Sequence, residues 1–372
     1  MLVFIQTVVI LILIGLLWYF RDQTNAILRS DVSNYFPTED TKEEVTEDAQ
    51  PNVVKVPLIM DVSASLVWWD QDFGFEVIQS NSQYFSSISP FWYELKANGT
   101  IKPFSGAEDE DVVTFLEKNN IKILPIISNE FEAEPLASII ADIQQRSSHI
   151  TDILSIAEKY DGVSLNYENL GEDDRENFTI FVEELATVFH KKDLLLGVHV
   201  HAKTEKPGTW NGPMAQDWKA LGEVCDKVKI MAYDYHWSTS EAGSIAPASW
   251  VDDVLSFAVT QIPKEKIYLG IPLYGYDWIE MQAKDFVFED VSTLLDKYKV
   301  KAALDSDSKS KFFDYTDSDD TSHEVWFEDS DTISFKLQIA EKYEIGGVDF
   351  WRLGGEDGKV WSTVGKELAG SR

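Results

Sequence analysis

The segment Asp161-Gly162-Val163-Ser164-Leu165-Asn166-Tyr167-Glu168 holds the residues best placed to do chemistry. Read as a strand, it puts Val163, Leu165 and Tyr167 on one face and Ser164, Asn166 and Glu168 on the other. The apolar face suits packing against helices. The polar face would then point into a barrel lumen, with Glu168 at the strand's C-terminal end, where barrel active sites form. A carboxyl group held there is suited to proton transfer, and a purely structural acid is the less favoured account. Other chemistries find less support. The six histidines include no HExxH pair. His199 and His201 alternate on one strand face, an arrangement a metal would accept, but a pocket or core role suits them better. Neither a metal nor a cofactor is expected. Cys225, the only cysteine, lies in an apolar stretch and reads as a small buried hydrophobe, and no intrachain disulfide can form.

A strand ending in Glu168 needs neighbours to hold it. From residue 53 onward, short β-rich runs alternate with helical patterns, the signature of βα units around a parallel sheet. The candidate strands are 55–63, 86–95, 121–128, 161–168, 193–202, 227–236, 266–275 and 346–354. Helical patterns fall at 108–120, 149–160, 175–191 and 248–262; in the last two, apolar residues recur every three and four positions. The fold expected is α/β, a (β/α)8 TIM barrel. An open doubly wound sheet is the alternative, disfavoured because no strand–GxGxxG–helix unit occurs. A small α+β insertion at 277–331, between the seventh strand and the helix after it, is expected to flank one wall of the cleft. It carries a helix at 290–299 and strands at 311–317 and 323–329.

The chain has 372 residues, 44% hydrophobic and 13% aromatic, enough for a substantial core. A net charge of −32, from 64 acidic and 32 basic residues, excludes a nucleic-acid partner and disfavours lying flat on anionic lipid; it favours solubility. Most of the 12 tryptophans are expected in the core, with some as flat platforms for sugar rings. Residues 2–20 are uncharged and apolar, long enough to span a bilayer, and end in Trp18 and Tyr19. Residues 1–22 are therefore expected to be a retained transmembrane anchor, a cleaved signal peptide being the rival. Residues 23–52 form an acidic, apolar-poor stalk, and 53–372 the folded domain. Arg21 and Arg29 after the apolar run would place that domain in the cytoplasm by charge counting. A polymeric substrate would place it outside.

The strand 161–168 resembles the DGxxxDxE strand of glycoside hydrolase family 18. Its continuation, 169–185, is similar to the spore-cortex N-acetylglucosaminidase branch of that family. Met231-Ala232-Tyr233-Asp234, the run IYLGIPLYGYDW at 267–278, and Trp351 match further motifs in the expected order, and the resemblance covers about 53–361. It implies that Glu168 protonates the glycosidic oxygen while the substrate's 2-acetamido oxygen acts as nucleophile, an exception to the two-carboxylate scheme. It implies that residue 166 orients the acetamido group, that Tyr233 hydrogen-bonds its carbonyl, that Asp234 contacts the distorted sugar and that Trp351 forms the floor. Asp161, Ser164, Met231 and Tyr274, from the same motifs, are expected to line the substrate site. The family usually carries Asp where this chain has Asn166. An Asn carbonyl still accepts the acetamido N–H, but it supplies no negative charge to a developing cation and shares no proton with Glu168. Losing one such interaction costs about 2.7–4 kcal/mol. Two functions follow: hydrolysis of a β-1,4-linked N-acetylglucosamine polymer, peptidoglycan or chitin-like, by a monomeric surface-anchored enzyme, or sugar binding by the same cleft without turnover.

Overall fold

The computed structural model describes residue 55 and residues 57–369; the expected membrane span and stalk fall outside them. Strands with apolar residues on one face and small or polar residues on the other close into a ring. They are β1 (Asp61–Val67), β2 (Ser87–Leu95), β3 (Ile126–Ser128), β4 (Gly162–Asn166), β5 (Leu195–His201), β6 (Lys227–Met231), β7 (Ile267–Pro272) and β8 (Gly347–Trp351). Each pairs in parallel with the next, and β8 returns to β1 through Asp61–Gly347 and the three pairs that follow. This is the expected (β/α)8 barrel. Val163 and Leu165, Val198 and Val200, Val228 and Ile230 are fully buried in one apolar cluster with Phe178, Phe181, Leu185, Val251 and Leu337 of the surrounding helices. At the start of β4, Gly162 has φ +150, and a Cβ there would lie 1.9 Å from the Leu195 carbonyl oxygen, so only glycine lets β4 approach β5.

The lumen is polar and layered. Near the N-terminal rim, Lys227 and Tyr268 both reach Asp61, at 3.0 and 2.6 Å. One layer up, Lys229 donates to Ser89 (2.8 Å) and Ser63 (3.2 Å). Lys229 also lies 2.9 Å from Asp349, a fully buried ion pair whose alignment is electrostatic rather than that of a hydrogen bond. Burial alone would raise the Asp349 pKa, but Lys229 outweighs it and holds the carboxylate below its usual range.

Several boundaries differ from expectation; the sixth strand, for one, ends at Met231 rather than residue 236. The first strand starts at Asp61 rather than residue 55. Pro57 in the expected stretch has no N–H to give a ladder, and the pairing with β8 begins at Asp61. The helix expected at 149–160 runs from Ile143 to Ala157, because Asp142 caps it by accepting the N–H groups of Gln144 and Gln145. The insertion begins at Tyr274, immediately after β7, and is richer than expected. Its antiparallel sheet has five strands, Gln282–Val287, Tyr274–Ile279, Ser322–Phe327, Lys311–Thr316 and Ala303–Leu304 in spatial order, beside the helix Phe288–Tyr298. The two ends of the domain meet at the N-terminal rim of the barrel: Leu58 bridges Ala369, and the Ile59 N–H donates to the Leu368 carbonyl at 2.9 Å. Among the described residues no helix is long and apolar enough to cross a membrane.

Candidate active site

Glu168 sits two residues past the end of β4, at the C-terminal mouth of the barrel. Its backbone is clamped from the neighbouring strand: Asn129, just beyond β3, accepts the Glu168 N–H at 2.9 Å and donates to its carbonyl at 2.9 Å. The Glu168 carboxyl is largely buried, with Oε1 accepting from Asn166 Nδ2 at 3.0 Å and Oε2 lying 3.7 Å from His201 Nε2. Burial is the main cause of a pKa raised to about 7; the Asn166 bond opposes it, and the carboxylates of Asp234 and Glu130 add to it. Glu168 therefore holds its proton where an ordinary glutamate has lost it. The other amide atom, Asn166 Oδ1, is buried and has no hydrogen-bond partner.

Beyond β6 the chain turns at Asp234, whose backbone adopts the left-handed conformation with φ +57. Its carboxylate accepts from the hydroxyls of Tyr274 (2.5 Å) and Tyr276 (3.1 Å), both on the first strand of the insertion. Burial raises the Asp234 pKa, with a smaller push from the Asp285 charge, and the two phenols partly offset the rise. Tyr233 feels the Asp349, Glu168 and Asp234 carboxylates; burial foremost, then those three charges, keeps its phenol neutral. Trp351 ends β8 with its ring edge-on to Phe91 at 6.1 Å. A 170 Å³ pocket over it is lined by Trp69, Asp234, Tyr274, Tyr276, Trp351 and Arg352. Arg352 pairs with Asp70 at 2.8 Å and lies over the Trp69 ring. Flat aromatic walls with two carboxylates, Asp234 and Asp285, among the lining suit a sugar ring, which presents C–H groups on its face and hydroxyls around its rim. A larger recess of 510 Å³ lies further out on the insertion, lined by Trp278, Asp314, His323 and Glu324 among others, and includes none of the groups around Glu168.

Glu168, Asn166, Tyr233, Asp234, Tyr274 and Trp351 thus share one mouth. Two other residues expected in the site stand apart from it. Asp161 precedes β4 at the opposite rim, where its carboxylate accepts the Ile123 N–H at 2.9 Å, a structural contact. Ser164 is fully buried one layer below Asn166, against Gly197, out of reach of a ligand at the mouth. Met231, half-buried, ends β6 on the lumen face it shares with Lys227 and Lys229, at the same end of the barrel as Glu168. Sequence reasoning missed Asn129, Trp69, Tyr276 and Arg352, and left His201 as a generic pocket residue. Asn129 was within reach of the rule that singled out Glu168, since it too follows a strand's C-terminal end. Trp69 and Arg352 likewise follow the ends of β1 and β8, whereas Tyr276 depends on the insertion.

Known proteins resemble the chain in sequence and in fold. The chain is 28% identical over 296 residues to the uncharacterized glycosylase YvbX of Bacillus subtilis (strain 168), covering 76% of this chain and 85% of that one. It is 30% identical over 283 residues to the cortical fragment-lytic enzyme of Bacillus anthracis, covering 73% of this chain and 65% of that enzyme. Among solved structures, chitinase from Chromobacterium violaceum ATCC 12472 superposes with a TM-score of 0.78 at 26% identity, over 84% of this chain and 100% of that one. The Bacillus cereus spore cortex-lytic enzyme SleL superposes with a TM-score of 0.75 at 26% identity, over 84% and 75%. The sequence profile of the glycosyl hydrolases family 18 matches residues 73–356, the span that carries Glu168 and its neighbours, and the chain belongs to that family.

Proposed function

We propose that the protein hydrolyses β-1,4 bonds in an N-acetylglucosamine-containing glycan, retaining the anomeric configuration, with Glu168 as proton donor. The observation that carries this is the Glu168–Asn166 pair: a carboxyl with a pKa near 7 beside a buried, unused amide oxygen. Protonated Glu168 gives its proton to the glycosidic oxygen as the bond to the leaving sugar breaks. The substrate's acetamido oxygen closes on the anomeric carbon, its N–H donating to Asn166 Oδ1 and its carbonyl accepting from Tyr233. The resulting oxazolinium ion is opened by water, which Glu168, now a carboxylate, deprotonates. Trp351 supports the ring from below, and Asp234 holds it from the side. The relatives named for chitin and for cortical fragments favour a polymer of this class.

The test is Glu168→Gln assayed on a chromogenic N-acetylglucosamine oligomer. Hydrolysis should vanish while oligosaccharide affinity stays nearly intact; wild-type turnover in that variant removes Glu168 from the mechanism. A thiazoline analogue of N-acetylglucosamine should inhibit competitively. Equal activity on a substrate lacking the N-acetyl group would exclude the acetamido nucleophile. Asn166 favours one second reading, sugar binding without cleavage, because a neutral amide gives a forming cation less support than a carboxylate.

A further inference from the structure

Glu168 is contacted on both oxygens, and only one contact is explained by the chemistry above. We propose that His201 is a positioning residue for Glu168, its Nε2–H closing onto Oε2 as the carboxyl ionises, so that Asn166 and His201 together support the carboxylate with two neutral N–H donors. This rests on the reading of Glu168 as the acid.

His201 is the last residue of β5, the strand paired with β4, and lies on the lumen face. Its Nε2 is buried with no hydrogen-bond partner and stands 3.7 Å from Oε2, so a small side-chain rotation brings the two into bonding range. The surroundings hold the ring in that direction. Its backbone N–H is accepted by Gln216 Oε1 at 2.8 Å, and the ring packs edge-on against Trp210 with centroids 4.6 Å apart. Gly212 leaves room for this pair: a Cβ there would lie 2.4 Å from the Trp210 ring and 2.7 Å from His201 Cδ2. Lys203 ties down the same segment by donating to the carbonyls of Pro213 (2.9 Å) and Gln216 (2.6 Å).

The charged and titratable groups facing the pair decide what His201 can contribute. Glu168 is faced by Asp234, Glu130 and Tyr233, and His201 by Lys203 and Glu168. Burial, then Lys203, pushes the His201 pKa down to about 4, so the ring is neutral at working pH and offers a hydrogen bond without a charge. A neutral donor stabilises the carboxylate that appears as the proton leaves, which is the support that Asn166 alone supplies on the other oxygen.

The test uses the full chain and three side chains at position 201. His201→Phe keeps the ring and its packing on Trp210 but removes the donor, and His201→Gln restores an N–H. The Glu168 carboxyl is followed by 13C NMR over pH, assigned by its loss in Glu168→Gln. In His201→Phe the midpoint should rise by about one pH unit, and in His201→Gln return most of the way. In turnover assays kcat should fall roughly 10–100-fold in His201→Phe with KM changed less than about twofold, and recover in His201→Gln. A midpoint in His201→Phe equal to wild type, or His201→Gln behaving like His201→Phe, overturns the proposal. The titration needs no turnover, so the two ideas separate: a shifted midpoint in a protein that never cleaves leaves His201 in place and sinks the hydrolase, and active wild type with an unmoved midpoint does the reverse.

Discussion

A glutamate that keeps its proton near neutrality sets the pH behaviour of the whole protein. With its pKa near 7, kcat/KM for the proposed hydrolysis should be level on the acid side and fall about tenfold per pH unit above 7, as measured on a neutral oligosaccharide. Stability carries the same signature. The folded-state pKa lies above a glutamate's ordinary value of 4.5, so the fold is favoured below about 4.5 and loses that advantage as pH rises to 7. Glu168→Gln should therefore stabilise the protein at pH 8, by at most about 3 kcal/mol, and have little effect at pH 4; equal denaturation midpoints at both pH values would exclude this. Asn166→Asp is nearly isosteric and places a carboxylate against the forming cation. Turnover should rise roughly 10–10³-fold with little change in affinity. If wild type and Asn166→Asp both bind chitooligosaccharides without cleaving them, the sugar-binding reading replaces the enzyme. Glu168 and Asn166 were legible because alternation on one strand sorts polar from apolar. Asn129 follows a strand end as Glu168 does and was within reach of the same rule, but its clamp on Glu168, like the approach of His201, arises only when β3 and β5 lie against β4.

At the scale of elements, the barrel lumen is held by charge as well as by packing. Lys229 on β6 reaches Asp349 on β8 and the serines of β1 and β2, linking strands that do not adjoin. Removing one partner strands the other: Lys229→Met should destabilise the protein by about 3–5 kcal/mol in chemical denaturation, and Lys229→Met with Asp349→Leu should recover much of the loss. If the double variant is no better than the single, the ion pair is not the cause. The eight strands were readable because apolar runs and turn signals recur along the chain. The insertion boundary was not, since Tyr274–Ile279 follows β7 after Leu273 alone and continues its aromatic, β-rich character. The helix from Ile143 was misplaced because its first turns are polar and its start is set by the Asp142 cap rather than by an apolar stripe.

For the whole molecule, we propose a domain tethered through the apolar segment 2–20 and the acidic stretch 31–52, and placed outside the cytoplasm by its proposed polymeric substrate, against the charge count of Arg21 and Arg29. Protease added to intact cells should release a soluble fragment by cutting within 31–52; protection until lysis would place the domain inside and end the cell-wall role. The meeting of Leu58 with Ala369 has a bearing on how such a tether would work. Anything joined ahead of residue 57 leaves from the closed rim, with Glu168 and the Trp351 pocket at the far end of the strands. A fusion made at either of these two ends lies on the rim opposite Glu168 and leaves the cleft unobstructed. Because the two ends of the domain touch, joining them and reopening the ring at a different helix–strand loop on that rim would move the point of attachment around the base while leaving the mouth free.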